Sequence, residues 1–142
     1  MTPDQVALLS AAIRHVRDAE ALLAASPDQA WHLAGFGPEC ARKACLSERW
    51  ADKALGHQLG LVAEPALATA IALDARAARY RLDAWSSNWP SFTAWTPEGR
   101  YHRTGAHAPA APALVGEARA AVDRVVCDLW ADGSLPTLEE LG

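Results

Sequence analysis

The 142-residue chain has few of the features that mark secreted, membrane-spanning or strand-rich proteins. It has three cysteines, none of them spaced as a CxxC pair, and no run of about eighteen apolar residues. Its first residues contain no basic region followed by an apolar run, so we expect no secretory signal and a cytoplasmic protein with no membrane segment. Tyrosine and phenylalanine, which favour strands, occur twice each. These absences favour a helical protein of a reducing compartment.

The composition is that of a chain that can build one hydrophobic core. Apolar residues make up 51% of the sequence, and we expect a single domain over residues 1–142. The formal net charge is −4, and lysine occurs only at Lys43 and Lys53, so nearly all the positive charges are arginines. A slightly acidic chain is not expected to coat nucleic acid, because such binding requires a basic face. A local basic site stays compatible with this charge.

Two segments carry nearly the same helix-start signal, a hydroxyl N-cap followed by Pro, Asp and Gln, which predicts a capping box. They begin at Thr2 and Ser26. The first signal and the apolar stripe after it predict a helix over residues 3–25. The second predicts a helix toward Leu46, which we expect to kink or break at Pro38 because proline cannot donate to the helical ladder.

Apolar periodicity predicts two further long helices, over residues 65–85 and 112–131, the second followed by Gly133 as its C′ residue. Residues 50–55 are expected to form a short helix before a turn at Gly56. Residues 86–111 carry Trp, Pro and Gly without helical periodicity and predict a long loop. With no alternating strand pattern and no repeat, the chain is expected to be all-α. The expected architecture is an antiparallel four- to five-helix bundle with a long Trp-rich loop before the last long helix.

Three tryptophans in or beside this loop, Trp85, Trp89 and Trp95, have two interpretations. They anchor the loop to the bundle, or they stack on a base or another planar ligand whose phosphate or carboxylate is held by arginine. Both interpretations can hold for different faces of one ring. We expect at least two of the three to be mostly buried, because an exposed aromatic loop would form a large apolar patch.

The order of these elements resembles the HEPN family, the higher eukaryotes and prokaryotes nucleotide-binding domains. Residues 13–23 are similar to the family's opening helix, residues 31–46 to its second helix, and Gly56-His57-Gln58-Leu59 to its HdL turn. Arg100-Tyr101 then lies between the third long helix and the last, where many members carry RYP or a longer Arg…His motif. The resemblance covers most of the chain and implies a HEPN-like bundle.

In active members of that family, an arginine and a histidine separated by four to six residues lie near the start of the last helix. Arg100 and His107 enclose six residues, at the long edge of that range. The resemblance implies metal-independent RNA cleavage by attack of the 2′-hydroxyl on the phosphate. His107 would move the proton, and Arg100 would stabilise the charge on the phosphoryl oxygens. It further implies that no metal or other cofactor is needed, and that two motifs meet in a homodimer to form one site.

Six other side chains complete the candidate site as substrate-binding residues: Tyr101, His102, Arg103, Trp89, Trp95 and Glu39. Tyr101 replaces the small polar residue usual in active nucleases of the family, as in a subgroup not known to need the histidine. Glu39 is either an acid at a helix restart, favoured by the helix dipole, or a polar residue facing the Arg100 region. A metal site made of His32, Glu39 and Cys40 is not expected, because ligands two turns apart cannot share an ion.

Two functions stay open at this point. The first is a HEPN-like homodimer that binds RNA or a nucleotide and cleaves RNA, as in toxin–antitoxin pairs with a nucleotidyltransferase-type antitoxin as partner. The second is a non-catalytic helical binding module or accessory protein for a small molecule or a protein. The homodimer expectation rests on the last helix, whose apolar stripe is broadened by Leu114, Val125 and Trp130 beyond the needs of one bundle core.

Overall fold

The computed structural model describes residues 1–46, 53, 55–59, 64–74, 77–80 and 85–135. Their α-helices with described bounds are α1 (Pro3–Leu22), α2 (Pro27–Ala44), α3 (Glu64–Leu73), α4 (Trp85–Asn88) and α5 (Ala111–Ala131). The 3₁₀ turns are Ala77–Tyr80, Pro90–Ala94 and Pro97–Tyr101, and this part of the chain contains no strand. The all-α helical bundle expected from the sequence is confirmed. None of the helices described here has both the length and the apolar character to span a membrane.

The two helix-start signals have different outcomes. Thr2 forms the expected capping box, in which its Oγ1 accepts from the N–H of Gln5 and Oε1 of Gln5 accepts from the N–H of Thr2. The box expected at Ser26 is wrong, because the Ser26 side chain makes no capping hydrogen bond. α1 also ends at Leu22, a few residues before the expected end.

Of the kink or break expected at Pro38, the break is absent, since α2 runs through Pro38 as one helix. The helix loses one hydrogen bond there, because proline has no N–H to donate to the carbonyl of Ala34. The face around Pro38 is closely packed instead. A Cβ on Gly37 would lie 2.5 Å from a methyl of Val16 and 3.5 Å from a methyl of Val122. Close packing of α2 against α1 and α5 therefore compensates for the missing hydrogen bond.

The long helices α1, α2 and α5 surround the hydrophobic core. Residues 23–26 connect α1 to α2, and so short a connection makes the two helices antiparallel. α1 is also antiparallel to α5. The N-terminal amino group of Met1 donates to the carbonyl of Ser134, just after α5, at 3.4 Å. Near the other end of α1, Glu20 pairs with Arg119 of α5 at 3.2 Å.

α2 and α5, by contrast, run in the same direction. Asp28 at the start of α2 contacts the backbone of residues 105 and 107, just before α5 begins. At the other end, Cys45 follows α2, and its thiol has a pKa raised by burial and further by Asp128 and Asp132 near the end of α5. Because the two helices are parallel, the chain between them must cross back along the bundle. We call the described part of this connection, residues 53–110, the crossing segment.

The single long helix expected over residues 65–85 is wrong. α3 ends at Leu73, a 3₁₀ turn follows at Ala77–Tyr80, and α4 begins at Trp85. Leu73, the last residue of α3, is 69% exposed. Tyr80 and Trp85 contact separate parts of the bundle instead, since the Tyr80 hydroxyl contacts Asp132 and the Trp85 ring lies under the guanidinium of Arg42. The short helix expected over residues 50–55 lies largely outside the described residues.

Residues 85–110 of the crossing segment are built of short helical turns, in agreement with the predicted loop over residues 86–111. Trp85 and Trp95 are buried, and Trp89 is half-buried, so the expectation that at least two tryptophans are buried is confirmed. Ser91 fastens the segment to α5, because its N–H and its hydroxyl each donate to the carboxylate of Glu117 at 2.9 Å.

The last helix matches its predicted range, and Gly133 after it has a φ of +73°, in the left-handed region typical of a C′ glycine. Its wide apolar stripe is largely buried within one chain, since Leu114 and Val125 are 0% and 1% exposed. Trp130 is 63% exposed and Val126 is half-buried. This corrects the basis of the dimer expectation, because most of the stripe already has a partner and only its Trp130 edge is open.

Gly35 offers a direct test of how the crossing segment is packed. A Cβ at this position would come within 2.0–2.3 Å of ring atoms of Trp95. We therefore expect Gly35→Ala to lower the free energy of unfolding by about 1–3 kcal/mol or more, because the indole would be displaced. Gly116→Ala is the matched control, since nothing lies within 4 Å of a Cβ there.

In an open helical position, alanine should raise stability by about 0.5–1 kcal/mol. Urea unfolding of the two variants and the wild type measures both effects. Equal stability changes in the two variants would contradict the described contact between Gly35 and Trp95.

Candidate functional site

One face of α2 carries polar and aromatic side chains that receive the crossing segment. They recur every three or four residues, the spacing that places side chains on one side of a helix. The face consists of Asp28, Trp31, His32, Gly35, Phe36, Glu39, Arg42 and Lys43. Residues 95–107 contact its first half, and residues 55–59 with Trp85 contact its second half.

Asp28 holds the loop that precedes α5. Its two carboxylate oxygens accept from the backbone N–H groups of Gly105 and His107, the second at 2.8 Å. These hydrogen bonds, that of Gly105 first, lower the pKa of the Asp28 carboxyl. Gly105 has a φ of +87°, a conformation that favours glycine and turns the chain back toward α2.

The ring of His107 lies flat on Trp31. The ring centroids are 3.7 Å apart and the planes differ by 9°. The backbone at Gly99 also contacts this indole so closely that a Cβ would lie 2.3 Å from it. The carbonyl of His107 accepts from the N–H groups of Ala110 and Ala111 at 3.0 Å, at the start of α5. His107 is therefore held through both its ring and its main chain.

His102 forms a hydrogen-bonded pair with His107. Nδ1 of His102 lies 3.0 Å from Nε2 of His107, and their ring centroids are 5.0 Å apart. His102 is exposed, whereas His107 is half-buried. In the described part of the chain, Nε2 of His102 has no hydrogen-bond partner. The pair thus presents one imidazole to solvent and one to the protein.

Arg100, Tyr101 and Arg103 form the exposed part of the same loop. The guanidinium of Arg100 lies over the Tyr101 ring, 4.7 Å from its centroid, and donates to the Tyr101 hydroxyl at 2.7 Å. Arg100 pairs with no acid among the residues for which a structure is given. The loop therefore presents two cations and an aromatic ring.

His32 connects this loop to the interior. Burial lowers the pKa of His32, and the positive charges of Arg100, His107 and His15 lower it further. Its Nδ1 is buried and has no hydrogen-bond partner within the described ranges. Since Arg100 and His107 act on the same imidazole, the two residues predicted to be catalytic lie on the same side of α2.

Glu39 contacts a different part of the crossing segment. It is buried, and its carboxylate accepts from Nζ of Lys43 and from Nδ1 of His57, each at 2.9 Å. Its hydrogen bonds thus join α2 to the turn at residues 55–59, and none of them reaches the Arg100 loop. The same carboxylate raises the pKa of His15, although burial and Arg14 together leave that pKa lowered.

Arg42 is a buried cation that supports the same turn. Its Nη2 donates to the carbonyls of Gln58 and Leu59 at 2.9 and 3.3 Å, and its guanidinium lies 4.8 Å from the Trp85 ring centroid. Burial lowers its pKa to about 10 despite the opposing charges of Glu39 and Glu64. Arg42 was not singled out from the sequence, where it reads as a surface residue near a helix end.

The two loop tryptophans proposed as substrate-binding residues both contact protein. Trp95 is 2% exposed, donates from Nε1 to the carbonyl of His32 at 3.2 Å, and meets Phe36 edge-on. Trp89 packs against Trp85 and Phe92. Both anchor the crossing segment, and Trp95 offers no open ring face to a ligand.

The structure thus pairs Arg100 with Tyr101 and His102 with His107 on one loop, with Arg103 exposed between the two histidines, and leaves Glu39, Trp89 and Trp95 in supporting positions. Sequence reasoning missed Asp28 and Trp31, which hold the loop. Their spacing along α2 was the available signal. Among the described residues, no group of three or more His, Cys, Asp or Glu side chains is arranged to hold a metal ion.

Comparison of the chain with protein-family models, with curated proteins and with solved structures gave no match. The HEPN resemblance therefore stays a prediction from the residues themselves.

The half-buried histidines His15 and His32 predict that the stability of the protein depends on pH. Burial is the main cause that lowers the pKa values of His15 and His32. The folded protein therefore binds protons at these rings less readily than the unfolded chain, in which a histidine has a pKa of about 6.5. Below that pH the unfolded state binds more protons, and the free energy of unfolding falls. Asp28 acts at lower pH, because its depressed pKa matters only as carboxylates become protonated.

We therefore expect a lower urea midpoint at pH 5.5 than at pH 7.5, and a smaller difference in His32→Gln, which has one titrating ring fewer. Equal midpoints for the wild type at the two pH values would contradict the described burial of these rings.

Proposed function

We propose that the protein binds RNA or a nucleotide through the exposed loop before α5 and cleaves RNA without a metal ion, as a HEPN-like ribonuclease. One observation carries this proposal. Within eight residues, the loop presents Arg100, Arg103, Tyr101 and the hydrogen-bonded pair of His102 and His107. Cations, an aromatic ring and imidazoles are the groups that phosphate binding, base stacking and proton transfer near neutral pH require.

The roles follow from the chemistry of each side chain. Arg100 binds the scissile phosphate, because a guanidinium can donate two parallel hydrogen bonds to phosphate oxygens and stabilise the charge that develops on them. Tyr101 is 74% exposed and can stack on a neighbouring base. The pair of His102 and His107 transfers the proton of the attacking 2′-hydroxyl.

A second candidate function has an observation of its own. The guanidinium of Arg100 already lies on Tyr101, and the ring of His107 already lies on Trp31, so both side chains have partners within the protein. This arrangement favours a non-catalytic binding module, which would use Arg100 and Arg103 to bind an anionic ligand without cleaving it. Cleavage and simple binding are distinguished by the experiment that follows.

Incubation of the wild type with mixed RNA in EDTA should produce fragments ending in 2′,3′-cyclic phosphate. We expect Arg100→Ala to reduce the cleavage rate by about 10²–10³, the usual effect of removing one group that stabilises transition-state charge. His107→Ala should also reduce it. Arg17→Ala is the matched control, since this exposed arginine of α1 undergoes the same change in charge and is not part of the loop.

Cleavage that persists in Arg100→Ala at the wild-type rate would exclude the proposed site. Binding of RNA by the wild type without any cleavage, reduced in Arg100→Ala, would instead establish the binding module.

The proposal includes a homodimer in which the loops of two chains form one site, and a nucleotidyltransferase-type antitoxin as the partner protein. Association of two chains is supported by the Trp130 edge of α5, which lies at the end of the helix opposite the loop, so the meeting of the two loops rests on the HEPN resemblance alone. Trp130 is 63% exposed and lies beside the half-buried Val126, so a large indole on the longest helix is open to a second chain.

Sedimentation at micromolar concentration should therefore detect a dimer in the wild type, and Trp130→Glu should shift it to a monomer. Leu73→Glu is the matched control, because Leu73 is 69% exposed on α3 and is not part of this edge. A wild-type monomer at this concentration, or dissociation by both substitutions alike, would contradict the proposed interface.

A further inference from the structure

We infer that His102 is the imidazole that exchanges a proton with RNA, and that His107 is the positioning residue that orients it. This inference rests on the proposed ribonuclease function. It exchanges the roles that the sequence suggests for the two histidines, since His107 is the one that matches the family motif. It depends on the geometry of three rings: Trp31, His107 and His102.

The first step of the argument is access. His107 lies flat on Trp31 with 3.7 Å between the ring centroids, and its Nε2 is engaged by His102. The backbone of Gly99 closes the same region, since a Cβ there would be 3.2 Å from that Nε2. An RNA hydroxyl could reach Nε2 of His107 only by displacing His102. His102 itself is exposed, and its Nε2 has no partner in the part of the molecule that is described.

The second step is orientation. Trp31 lies in the second turn of α2, and Asp28 holds the backbone N–H of His107, so the inner imidazole is attached to a long helix at two points. The hydrogen bond of 3.0 Å between the two rings in turn restricts the orientation of His102. The outer ring thus gains a defined direction from a partner that never touches the substrate.

The third step concerns the tautomers. When Nδ1 of His102 carries its proton and donates to Nε2 of His107, the other nitrogen of His102 is left with a lone pair, which is the form that a general base requires. After His102 takes up a second proton, the same hydrogen bond becomes charge-assisted and therefore stronger. His107 thereby favours both the basic tautomer and the cation that forms from it.

The reaction balances with these groups alone. Nε2 of His102 removes the proton of the 2′-hydroxyl while the 2′-oxygen forms a bond to phosphorus. The bond between phosphorus and the 5′-oxygen breaks, and the leaving 5′-oxygen takes the proton from His102. The products are a 2′,3′-cyclic phosphate and a 5′-hydroxyl, and His102 returns to its starting form.

The experiment compares single-turnover cleavage of RNA in EDTA by the wild type, His102→Ala, His107→Ala and His107→Gln, with and without added imidazole. His102→Ala should lose about 10²–10⁴ in rate, the usual contribution of general acid–base catalysis. Free imidazole should restore part of this loss, because the position is exposed. His107→Gln should keep most of the activity, since its amide oxygen can still accept from Nδ1 of His102.

A positioning residue also has a signature in the pH–rate profile. Loss of the acceptor in His107→Ala removes the hydrogen bond that stabilises the imidazolium of His102, so this cation becomes less favourable in the variant. The limb of the profile on which the rate rises with pH should therefore move to lower pH in His107→Ala and stay near its wild-type position in His107→Gln. Nitrogen-15 NMR of the wild-type imidazoles reports the tautomer of His102 independently of activity.

Each outcome has one meaning. Full activity of His102→Ala, or rescue by imidazole of His107→Ala in place of His102→Ala, overturns the roles inferred here while the ribonuclease function stands. A wild type that cleaves no RNA removes the ribonuclease function and this inference together. Thermal unfolding of the three variants near the wild-type temperature shows that rate losses do not arise from unfolding.

Discussion

The contact of two tryptophan rings with two glycine backbones is the constraint on which the rest of the structure depends. Trp95 lies on Gly35 of α2, and Trp31 of α2 lies against Gly99 of the crossing segment. In each pair the indole ring occupies the position that a side chain at the glycine would take. The crossing segment and α2 therefore pack with the ring directly against the glycine backbone. Because α2 and α5 are parallel, the chain must return along the bundle, and these two contacts fasten it there. This attachment also fixes the position of the exposed loop that carries the pair of His102 and His107.

The local signals of the sequence predict the long helices well. The capping box at Thr2, the apolar stripe of α5 and the C′ glycine at Gly133 all act over a few residues, and the structure agrees with them. The break predicted at Pro38 and the continuous helix predicted over residues 65–85 were both wrong, because contacts between residues distant in sequence decide the structure at these two places. Tertiary packing by Val16 and Val122 keeps the helix whole at Pro38, whereas the separate partners of Tyr80 and Trp85 bend the second stretch.

The candidate site shows the same division between local and distant information. The residues from Arg100 to His107 are neighbours in sequence, so their grouping could be predicted. The partners that orient them could not, because Asp28 lies 77 positions from Gly105 and Trp31 reads as an ordinary core aromatic. Glu39 and Arg42 illustrate the converse case. Both look like surface charges of a helix, yet they are buried because a turn of the crossing segment covers them.

The attachment by Asp28 has a consequence for how this loop can vary among related chains. The carboxylate binds main-chain N–H groups and no side chain of the loop, so Thr104 and Ala106, both exposed, contribute nothing to it through their identity. Natural substitutions can therefore accumulate at these two positions while the loop keeps its shape. Relatives of this protein would preserve an aspartate near the start of the second helix and a glycine before the last one. Such a pair is far apart in sequence and is invisible to a motif that reads only consecutive residues.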